Sequence, residues 1–422
     1  MTVSTKPTTA WAQVNEQGDL VIPRDVATRY GLKPGAKVRL DEGTNFVRMH
    51  RPITHLTKIY IEPTVACNLE CITCFRNGWN EPNGRMSDET FEHIFESLKK
   101  IDPLPSVYFG GIGEPLVHTR TIEWIKRVKQ LGVPKVEMIT NATLLDETRS
   151  RQLIDAGLDV LWVSIDGATP ESYADVRLGA ELPFVLENLR RFAKMRKGGH
   201  YPTPEIGVAF VAMKRNINEL PSVIKLGRSF RAKYYSVSNL QPANPEMLDE
   251  RLYTNVLSDP AYMDGSKSIA HLSLPKMDFN EYTREALFGA FTSGCSISLA
   301  GNNWGGASDV CNFVESGTMS IAWDGCAAPC WALMHTHTSF LKDKQLTNQR
   351  HIIGNVRERS LLELWLDPEY LAYRERLHNF GFAPCTFCGG CELAEGNQED
   401  CFANPSPVCG VCLWAQGVIQ CP

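Results

Sequence analysis

Between residues 58 and 242, short apolar runs alternate with longer amphipathic stretches. The apolar runs, which have the length and composition of strands, are KIYIEPT, SVYFGG, KVEMITNA, VLWVSIDG, EIGVAFVAM and YYSVSNLQP. The stretches between them, in which apolar residues recur at helical spacing, cover residues 87–100, 119–131, 146–156, 183–195 and 218–230. Six strand-helix repeats with short connections predict an α/β fold, a parallel sheet with helices packed outside. The pattern leaves open whether the sheet is doubly wound or curled into a barrel.

A different pattern precedes these repeats, in residues 12–51. Strand-like runs there flank a proline turn, a short helix and a KPG turn. This region resembles the AbrB-type swapped-hairpin domain, which implies a small β-rich unit that is usually a dimeric DNA binder. The matching positions are Gly18, Ile22, Pro23, Gly31, Leu32, Pro34 and Gly35. Residues 1–52 hold eight Lys or Arg against five Asp or Glu, too small a surplus to require phosphate contacts, so docking or dimerisation is equally expected.

Composition places the chain among ordinary globular proteins. Charged residues make up 22% and hydrophobic residues 43% of 422 residues, enough for two or three domains. A formal net charge of -5 argues against nucleic acid as the partner of the whole chain. No apolar run is long enough to span a bilayer and the first residues contain no apolar signal segment, so we expect a cytoplasmic protein without membrane contact.

The 14 cysteines are unevenly distributed. Three fall in residues 67–74, none in 75–294, and eleven in 295–421. A large chain without a secretion signal is kept reduced in the cytosol, which favours metal or cluster ligation over disulfides. The distribution therefore predicts one metal centre near the start of the repeats and others near the C-terminus.

The first group, Cys67, Cys71 and Cys74, forms a CxxxCxxC loop directly after the first predicted strand. A 4Fe-4S cluster normally takes four thiolates, so three leave one iron open to another ligand. An open coordination position is typical of catalytic rather than structural metal sites. The loop resembles that of the radical S-adenosylmethionine (SAM) superfamily, whose open iron binds the amino and carboxylate groups of SAM. The resemblance implies a partial (β/α)6 barrel that is open on one side.

Further candidate residues lie at the ends of the next predicted strands, where parallel sheets gather their ligand groups. Glycines allow close approach of a ligand to the backbone, and short polar side chains can bind ribose and carboxylate groups. The resemblance implies SAM contacts at these positions, which are Gly110, Gly111, Gly113, Glu114, Asn141, Ser164, Asp166 and Arg177. Each also has an ordinary structural explanation as a turn, a cap or a surface ion pair. Thr73 stands where many relatives carry an adenine-facing aromatic residue; Phe75 either substitutes for it or belongs to the core.

The C-terminal cysteines have ligand-like spacings, including CxxCxxC. Together with GCAAPC and GNVRERSLLELW they resemble a SPASM domain, which implies up to two auxiliary 4Fe-4S clusters. The candidate ligands are Cys311, Cys330, Cys385, Cys388, Cys391, Cys401, Cys409, Cys412 and Cys421. The usual family spacing is not kept after Cys388, so the partition between clusters stays open, and Cys295 and Cys326 are the weakest candidates. Zinc ribbons are the competing interpretation, because spacing alone does not separate zinc from clusters.

These patterns predict four regions. They are an N-terminal domain at 1–54, the barrel at 55–244, a bridging or substrate-facing segment at 245–310, and a cluster domain at 311–422. His335 and His337, in the polar run HTHTS, are expected to be solvated rather than metal ligands.

Within the superfamily, the chain resembles the group associated with tungsten-containing aldehyde ferredoxin oxidoreductases. The similarity lies in EPTVACNLECITCFRNGWNEP, in the N-terminal pattern and in the ending SPVCGVCLWAQGVIQCP. It implies a maturase that cleaves SAM reductively to a 5′-deoxyadenosyl radical and modifies a tungsten-containing oxidoreductase or its pterin cofactor. A ferredoxin or flavodoxin-type protein is the expected electron donor.

Two other hypotheses remain open at this point. The chain could modify a ribosomally made peptide by crosslinking or oxidation, with the N-terminal unit binding the leader. It could also be a cluster-bearing DNA regulator without catalytic activity. Formation of 5′-deoxyadenosine separates both enzyme hypotheses from the regulator.

Overall fold

The computed structural model describes residues 10–42, 46–79, 81–196, 202–253, 271–274, 282–283, 296–299, 302–303, 311–383, 385–388 and 391–420. Most of the predicted bridging segment at 245–310 therefore lies outside the described residues, as do Cys295, Cys421 and the side chain of Cys388.

The strands are β1 (Gln13–Val14), β2 (Leu20–Val21), β3 (Leu40–Glu42), β4 (Val47–Met49), β5 (Lys58–Ile61), β6 (Ser106–Phe109), β7 (Val136–Thr140), β8 (Val160–Ser164), β9 (Glu205–Ala212), β10 (Ala232–Asn239), β11 (His271–Leu274), β12 (Ser296–Leu299), β13 (Asn302–Asn303), β14 (Thr318–Ile321), β15 (Cys326–Ala328), β16 (His337–Leu341), β17 (Lys344–Asn348) and β18 (Gly354–Asn355). The α-helices are α1 (Arg24–Arg29), α2 (Asp88–Leu98), α3 (Thr121–Gln130), α4 (Glu147–Asp155), α5 (Pro170–Val176), α6 (Leu182–Met195), α7 (Leu220–Gly227), α8 (Asn312–Glu315), α9 (Leu361–Trp365), α10 (Pro368–Asn379) and α11 (Cys385–Cys388).

The six predicted strands form one continuous side of a nine-stranded sheet, from the edge strand β10 to β5. Strands β5 to β10 lie side by side in sequence order and all their pairings are parallel. The prediction of an α/β fold with a six-stranded parallel barrel is therefore confirmed. Each predicted amphipathic stretch contains a helix, and α5 is an additional one that the apolar pattern did not indicate.

The sheet continues beyond β5 into the C-terminal region. Strand β14 pairs in parallel with β5, from Thr318 opposite Lys58 to Ile321 opposite Ile61. Strands β15 and β18 then extend the sheet in antiparallel fashion. The cysteine-rich region is thus built onto the strand that carries the first cysteine loop.

Helix α2 shows why the local sequence folds as predicted. The Ser87 hydroxyl accepts a hydrogen bond from the Thr90 backbone N–H over 3.1 Å, which satisfies one of the free donors of the first turn. Phe91, Ile94 and Leu98 recur at helical spacing and are fully buried against the sheet. The stripe and the cap together fix where the helix begins and which face it buries.

The N-terminal unit has the predicted order of elements, with hairpin β1–β2, helix α1 and hairpin β3–β4. It contributes no side chain to the core clusters, and eight of the 17 exposed large hydrophobic residues in the described part of the chain belong to it. They are Trp11, Val14, Leu20, Val21, Tyr30, Leu40, Phe46 and Val47. His50 joins this unit to the body, with Nε2 2.6 Å from Asp41 and Nδ1 3.0 Å from Glu315. The AbrB-like assignment and the domain boundaries stay predictions.

The described helices include none long and apolar enough to cross a lipid bilayer.

Candidate active site

The cysteine loop and the glycine turn face each other across a cavity of about 690 Å³ at the carboxyl ends of the barrel strands. Most of the sequence-predicted residues line it. They are Cys67, Cys71, Cys74, Gly111, Gly113, Glu114, Asn141, Ser164 and Arg177. Gly110 and Asp166 lie outside the lining. Nine of the eleven positions predicted in the cysteine loop and at the strand ends therefore line one cavity.

Each of the three sulfurs in the loop has a nitrogen donor beside it. The side-chain amide of Asn141 lies 3.9 Å from the Sγ of Cys67, and Nη1 of Arg177 lies 3.7 Å from that of Cys71. The Nε of Arg76 lies 3.4 Å from the Sγ of Cys74. Arg76 was not singled out from the sequence, although a cation two residues after the third cysteine is a readable signal. Three donors aimed at three sulfurs form an environment suited to thiolates.

Arg177 is held by a buried ion pair. Its Nε donates to Oδ2 of Asp166 over 2.6 Å, and Oδ1 of Asp166 accepts from the Val211 backbone N–H over 2.7 Å. Burial disfavours the charge of Arg177, but the Asp166 carboxylate and the Cys71 thiolate outweigh it and raise the arginine pKa. Asp166 thus orients Arg177 toward the cavity without lining it.

Glu114 connects the glycine turn to the end of β7 by hydrogen bonds. Its Oε2 accepts from the Asn141 backbone N–H over 2.7 Å, while its Oε1 accepts from the Thr140 hydroxyl over 2.8 Å. Burial raises the pKa of Glu114, because a carboxylate loses its hydration there. At Gly113, a Cβ would lie 2.3 Å from the Thr64 carbonyl oxygen, so the turn packs directly on the start of the cysteine loop. Only glycine leaves that contact open.

A second cavity of about 870 Å³ adjoins the first and shares Thr73, Phe75 and Ser164 with it. Six aromatic residues line the second cavity, namely Tyr60, Phe75, Tyr108, Phe210, Trp331 and Trp414. Phe75 lines both cavities, with its ring centroid 5.0 Å from that of Trp331, and it also packs against a core cluster, so both alternatives for this residue stay open. The C-terminal tail closes this cavity, since Gln420 donates its backbone N–H to the Ser238 hydroxyl over 3.2 Å.

Four of the C-terminal cysteines surround one smaller cavity of about 390 Å³, together with Tyr373 and Trp414. They are Cys311, Cys330, Cys409 and Cys412. Burial raises the pKa of all four thiols, that of Cys311 to about 12, so an isolated thiol there would stay protonated. The sequence left this grouping open.

The other C-terminal cysteines whose side chains the structure describes are not gathered in the same way. Cys385 is buried next to Gly410, whereas Cys391 and Cys401 are exposed. Cys326 lies apart, 3.5 Å from the Asn355 amide nitrogen. In the part of the chain that the structure describes, no three Cys, His, Asp or Glu side chains form a group that could hold a single metal ion.

The prediction for His335 and His337 was wrong. Both side chains are buried, with exposed fractions of 2% and 4%. His335 lies between Glu62 and Glu81, two residues that are distant in sequence and therefore invisible to local pattern. His337 Nδ1 lies 3.0 Å from the His335 carbonyl oxygen, and its ring contacts Phe75 edge-on.

Comparison with known proteins agrees with this arrangement. Residues 61–203 match the Radical SAM superfamily and residues 311–392 match an iron-sulfur cluster-binding domain of the SPASM type. The tungsten-containing aldehyde ferredoxin oxidoreductase cofactor-modifying protein of Pyrococcus furiosus is 30% identical over 369 residues, which cover 86% of this chain and 96% of that protein.

The chain belongs to the radical SAM superfamily.

Other known proteins match over shorter spans or in fold alone. A probable GTP 3′,8-cyclase of Methanococcus maripaludis is 30% identical over 44% of this chain and 59% of its own length. The structure of anSMEcpe with bound AdoMet superposes with a TM-score of 0.51 at 17% identity, over 86% of this chain and 96% of that one. Streptococcus suis SuiB bound to S-adenosylmethionine gives 0.50 at 16% identity, over 83% and 73%. These two structures support the fold of this radical SAM enzyme.

The residues present fit the cofactors of a radical SAM enzyme with a SPASM domain, which are 4Fe-4S clusters and SAM. The loop supplies three thiols, each beside a nitrogen donor, and leaves the adjoining cavity free for a ligand of the open iron. The C-terminal region supplies four buried thiols around one cavity, a complete set for a second cluster.

Proposed function

We propose that this radical SAM enzyme is a maturase that modifies the pterin cofactor of a tungsten-containing oxidoreductase. The observation that carries the proposal is the similarity to the Pyrococcus furiosus cofactor-modifying protein along nearly the whole of both chains. The enzyme modified would be the protein partner of this chain, and a ferredoxin or flavodoxin-type protein would supply electrons.

The proposed site residues follow from their placement. Cys67, Cys71 and Cys74 would hold the SAM-binding cluster, and the glycine turn with Asn141, Ser164 and Arg177 would bind SAM. Cys311, Cys330, Cys409 and Cys412 would hold one auxiliary cluster. A second auxiliary cluster would draw on Cys385, Cys388, Cys391, Cys401 and Cys421.

When bound, the reduced cluster and SAM supply a 5′-deoxyadenosyl radical, which removes a hydrogen atom from the substrate. The protein's contribution is to orient the substrate beside SAM and to exclude water. Ser164 and Phe75 line both cavities, so a substrate in the second cavity would lie next to SAM in the first. Trp331 also lines both and closes the wall on the C-terminal side.

The aromatic cavity supports a pterin rather than an assembled protein as the molecule bound there. A pterin is a planar heterocycle with a hydrogen-bonding edge, and aromatic side chains stack on such rings. The indole N–H of Trp414 and the Oε1 of Gln241 are buried in the cavity wall with no hydrogen-bond partner among the described residues. A donor and an acceptor of this kind suit the polar edge of the heterocycle.

Anaerobic reconstitution with iron, sulfide, dithionite and SAM tests the proposal. The expected products are 5′-deoxyadenosine and, with a dihydropterin present, a pterin of changed mass. The variant Gln241→Leu should weaken dihydropterin binding roughly tenfold, because a buried acceptor is lost. Gln152→Leu, the same change at an exposed position of α4, should leave it unchanged.

Each contrary outcome has a distinct meaning. Absence of 5′-deoxyadenosine from the wild-type protein would contradict any radical SAM activity. Formation of 5′-deoxyadenosine with a mass shift only in a co-expressed peptide would show that the substrate is a peptide and not a pterin. A mass shift only in an assembled tungsten enzyme would keep the maturase and reject the free cofactor.

A further inference from the structure

His335 connects the C-terminal domain to the barrel through two carboxylates. Its Nε2 lies 2.7 Å from Oε2 of Glu62, at the end of β5, and its Nδ1 lies 2.8 Å from Oε2 of Glu81, in the segment after the cysteine loop. The second carboxylate is fixed in turn, because Oε1 of Glu81 accepts from the Thr336 backbone N–H over 2.7 Å. The Trp79 ring contacts the imidazole in an edge-to-face arrangement, at a centroid distance of 4.8 Å.

Glu62 carries this connection to the glycine turn. The side chain is fully buried, and its Oε1 accepts from the Ile112 backbone N–H over 3.1 Å. A Cβ at Gly111 would lie 2.5 Å from both Cγ and Oε1 of Glu62, so the turn is packed tightly against this carboxylate. Movement of Glu62 would therefore move the backbone that lines the SAM cavity.

With both carboxylates ionised, the arrangement favours a charged imidazole. An ionised carboxylate only accepts hydrogen bonds, so both ring nitrogens of His335 must carry a hydrogen to bond Glu62 and Glu81. Burial opposes the charge, but the hydrogen bonds to Glu62 and Glu81 outweigh it and raise the pKa of His335 to about 9. The other charged or titratable groups nearby are Arg350, which acts on Glu81, and His337, whose pKa is lowered by burial.

We infer that His335 is a positioning residue, supplied by the C-terminal domain, which holds Glu62 and through it the turn at Gly111 and Ile112 in the geometry that binds SAM. The inference rests on the proposed function, because the role of this turn in binding SAM is part of that proposal. It adds that the SPASM domain controls SAM affinity as well as holding clusters. The coupling runs through two hydrogen bonds, one between His335 and Glu62 and one from the Ile112 backbone N–H to Glu62.

Equilibrium binding of SAM to the reconstituted full-length enzyme tests this without any substrate. His335→Gln keeps the approximate volume but replaces the cation by a neutral amide that cannot donate to both carboxylates. We expect its dissociation constant for SAM to rise roughly 10- to 100-fold, the range for a lost hydrogen bond to a charged group, with iron and sulfide content unchanged. His93→Gln on α2, an exposed histidine, is the matched control and should bind SAM like the wild type.

Measuring SAM affinity as a function of pH distinguishes a positioning role of His335 from a general loss of structure in the variant. Because the pKa of His335 is raised in the folded protein, its contribution is present below about pH 9 and lost above it. The wild-type affinity should weaken through that range relative to that of His335→Gln, whose profile should show only the titration of SAM itself. In Glu81→Gln, which removes one carboxylate at the partly exposed side of the site, the transition should move to lower pH.

Two outcomes would overturn the inference. One is a His335→Gln enzyme with intact clusters and a SAM affinity within twofold of the wild type. The other, which decides the matter if His335→Gln does not fold, is a Glu81→Gln profile with an unchanged transition. Neither result bears on whether the wild type forms 5′-deoxyadenosine or changes a pterin, so failure of the inference and failure of the proposed function are distinguishable.

Discussion

Arg177 and Asp166 form an ion pair that is almost entirely removed from water, with side-chain exposures of 13% and 0%. The pair stands directly behind the cysteine loop, and Arg177 extends from it toward Cys71. Replacing Arg177 by Met leaves the Asp166 carboxylate buried without its counter-charge. We expect the free energy of unfolding to fall by about 3–5 kcal/mol, measured by urea denaturation of the cluster-free protein.

The double variant Asp166→Asn, Arg177→Met is the control for that prediction. It removes both charges, so it should recover part of the lost stability. Equal destabilisation in the single and double variants would show that the ion pair is not the cause.

Arg76 should raise the reduction potential of the SAM-binding cluster. Its Nε–H points at the Cys74 sulfur and its Nη2 donates to the Leu69 carbonyl oxygen over 2.6 Å, so the guanidinium is fixed against the loop. Hydrogen bonds and positive charge near cluster sulfurs favour the reduced state. Arg76→Gln should therefore shift the midpoint potential to more negative values, on the order of 50 mV, in an EPR-monitored redox titration. Arg151→Gln, on the exposed face of α4, should leave the potential unchanged; an equal shift in both variants would contradict the assignment.

The grouping of four C-terminal cysteines predicts which substitutions remove iron together. Cys330→Ala combined with Cys412→Ala should lower the iron content by about four atoms per chain, since both thiols line one cavity. Cys326→Ala, which changes a thiol outside that group, should lose none. Iron and sulfide analysis after anaerobic reconstitution measures this, and equal losses in both proteins would reject the partition.

Replacement of Cys67, Cys71 and Cys74 by Ala should remove about one cluster and leave the others. The three thiols line a cavity separate from the one formed by the C-terminal four. Mössbauer spectroscopy of the reconstituted protein is the measurement. Loss of all iron, or of none, would contradict independent sites.

The exposed apolar residues of the N-terminal unit predict a dimer. Leu20 and Val47 are 66% and 64% exposed in a unit that buries almost nothing of its own, and about 40 residues are too few for a stable independent core. We expect light scattering to show a dimer for the wild type and a monomer for Leu20→Glu combined with Val47→Glu. Leu362→Glu, at an exposed position of α9, should stay dimeric; an unchanged mass in the double variant would place any interface elsewhere.

The elements predicted best from the sequence are those that depend on residues close together along the chain. The six strands of the barrel and the helices between them appear where apolar spacing indicated, because each element buries its own stripe. Helix α5 was missed because its seven residues are too few for a periodic signal; its Thr169 capping box is the feature that could have indicated it. At the strand ends, nine of eleven candidates reached one cavity because parallel topology alone dictates that edge.

Other features depend on residues far apart in sequence. The burial of His335 comes from Glu62, 273 positions away, and a polar run read by itself resembles a solvated loop. Likewise, Cys311 and Cys412 lie near opposite ends of the 311–422 region, so spacing rules that operate within one loop could not group them. The pairing of β14 with β5 has no local signature, since its four residues could belong to any buried strand.

The C-terminal region contacts both edges of the six-stranded part of the sheet. Strand β14 pairs with β5 at one edge, while Gln420 bonds Ser238 on β10 at the other. The C-terminal region therefore links the two edges of the six-stranded part of the sheet. A longer or shorter C-terminal link would change the distance between these two edges, and with it the size of the substrate admitted, without any change in the barrel residues.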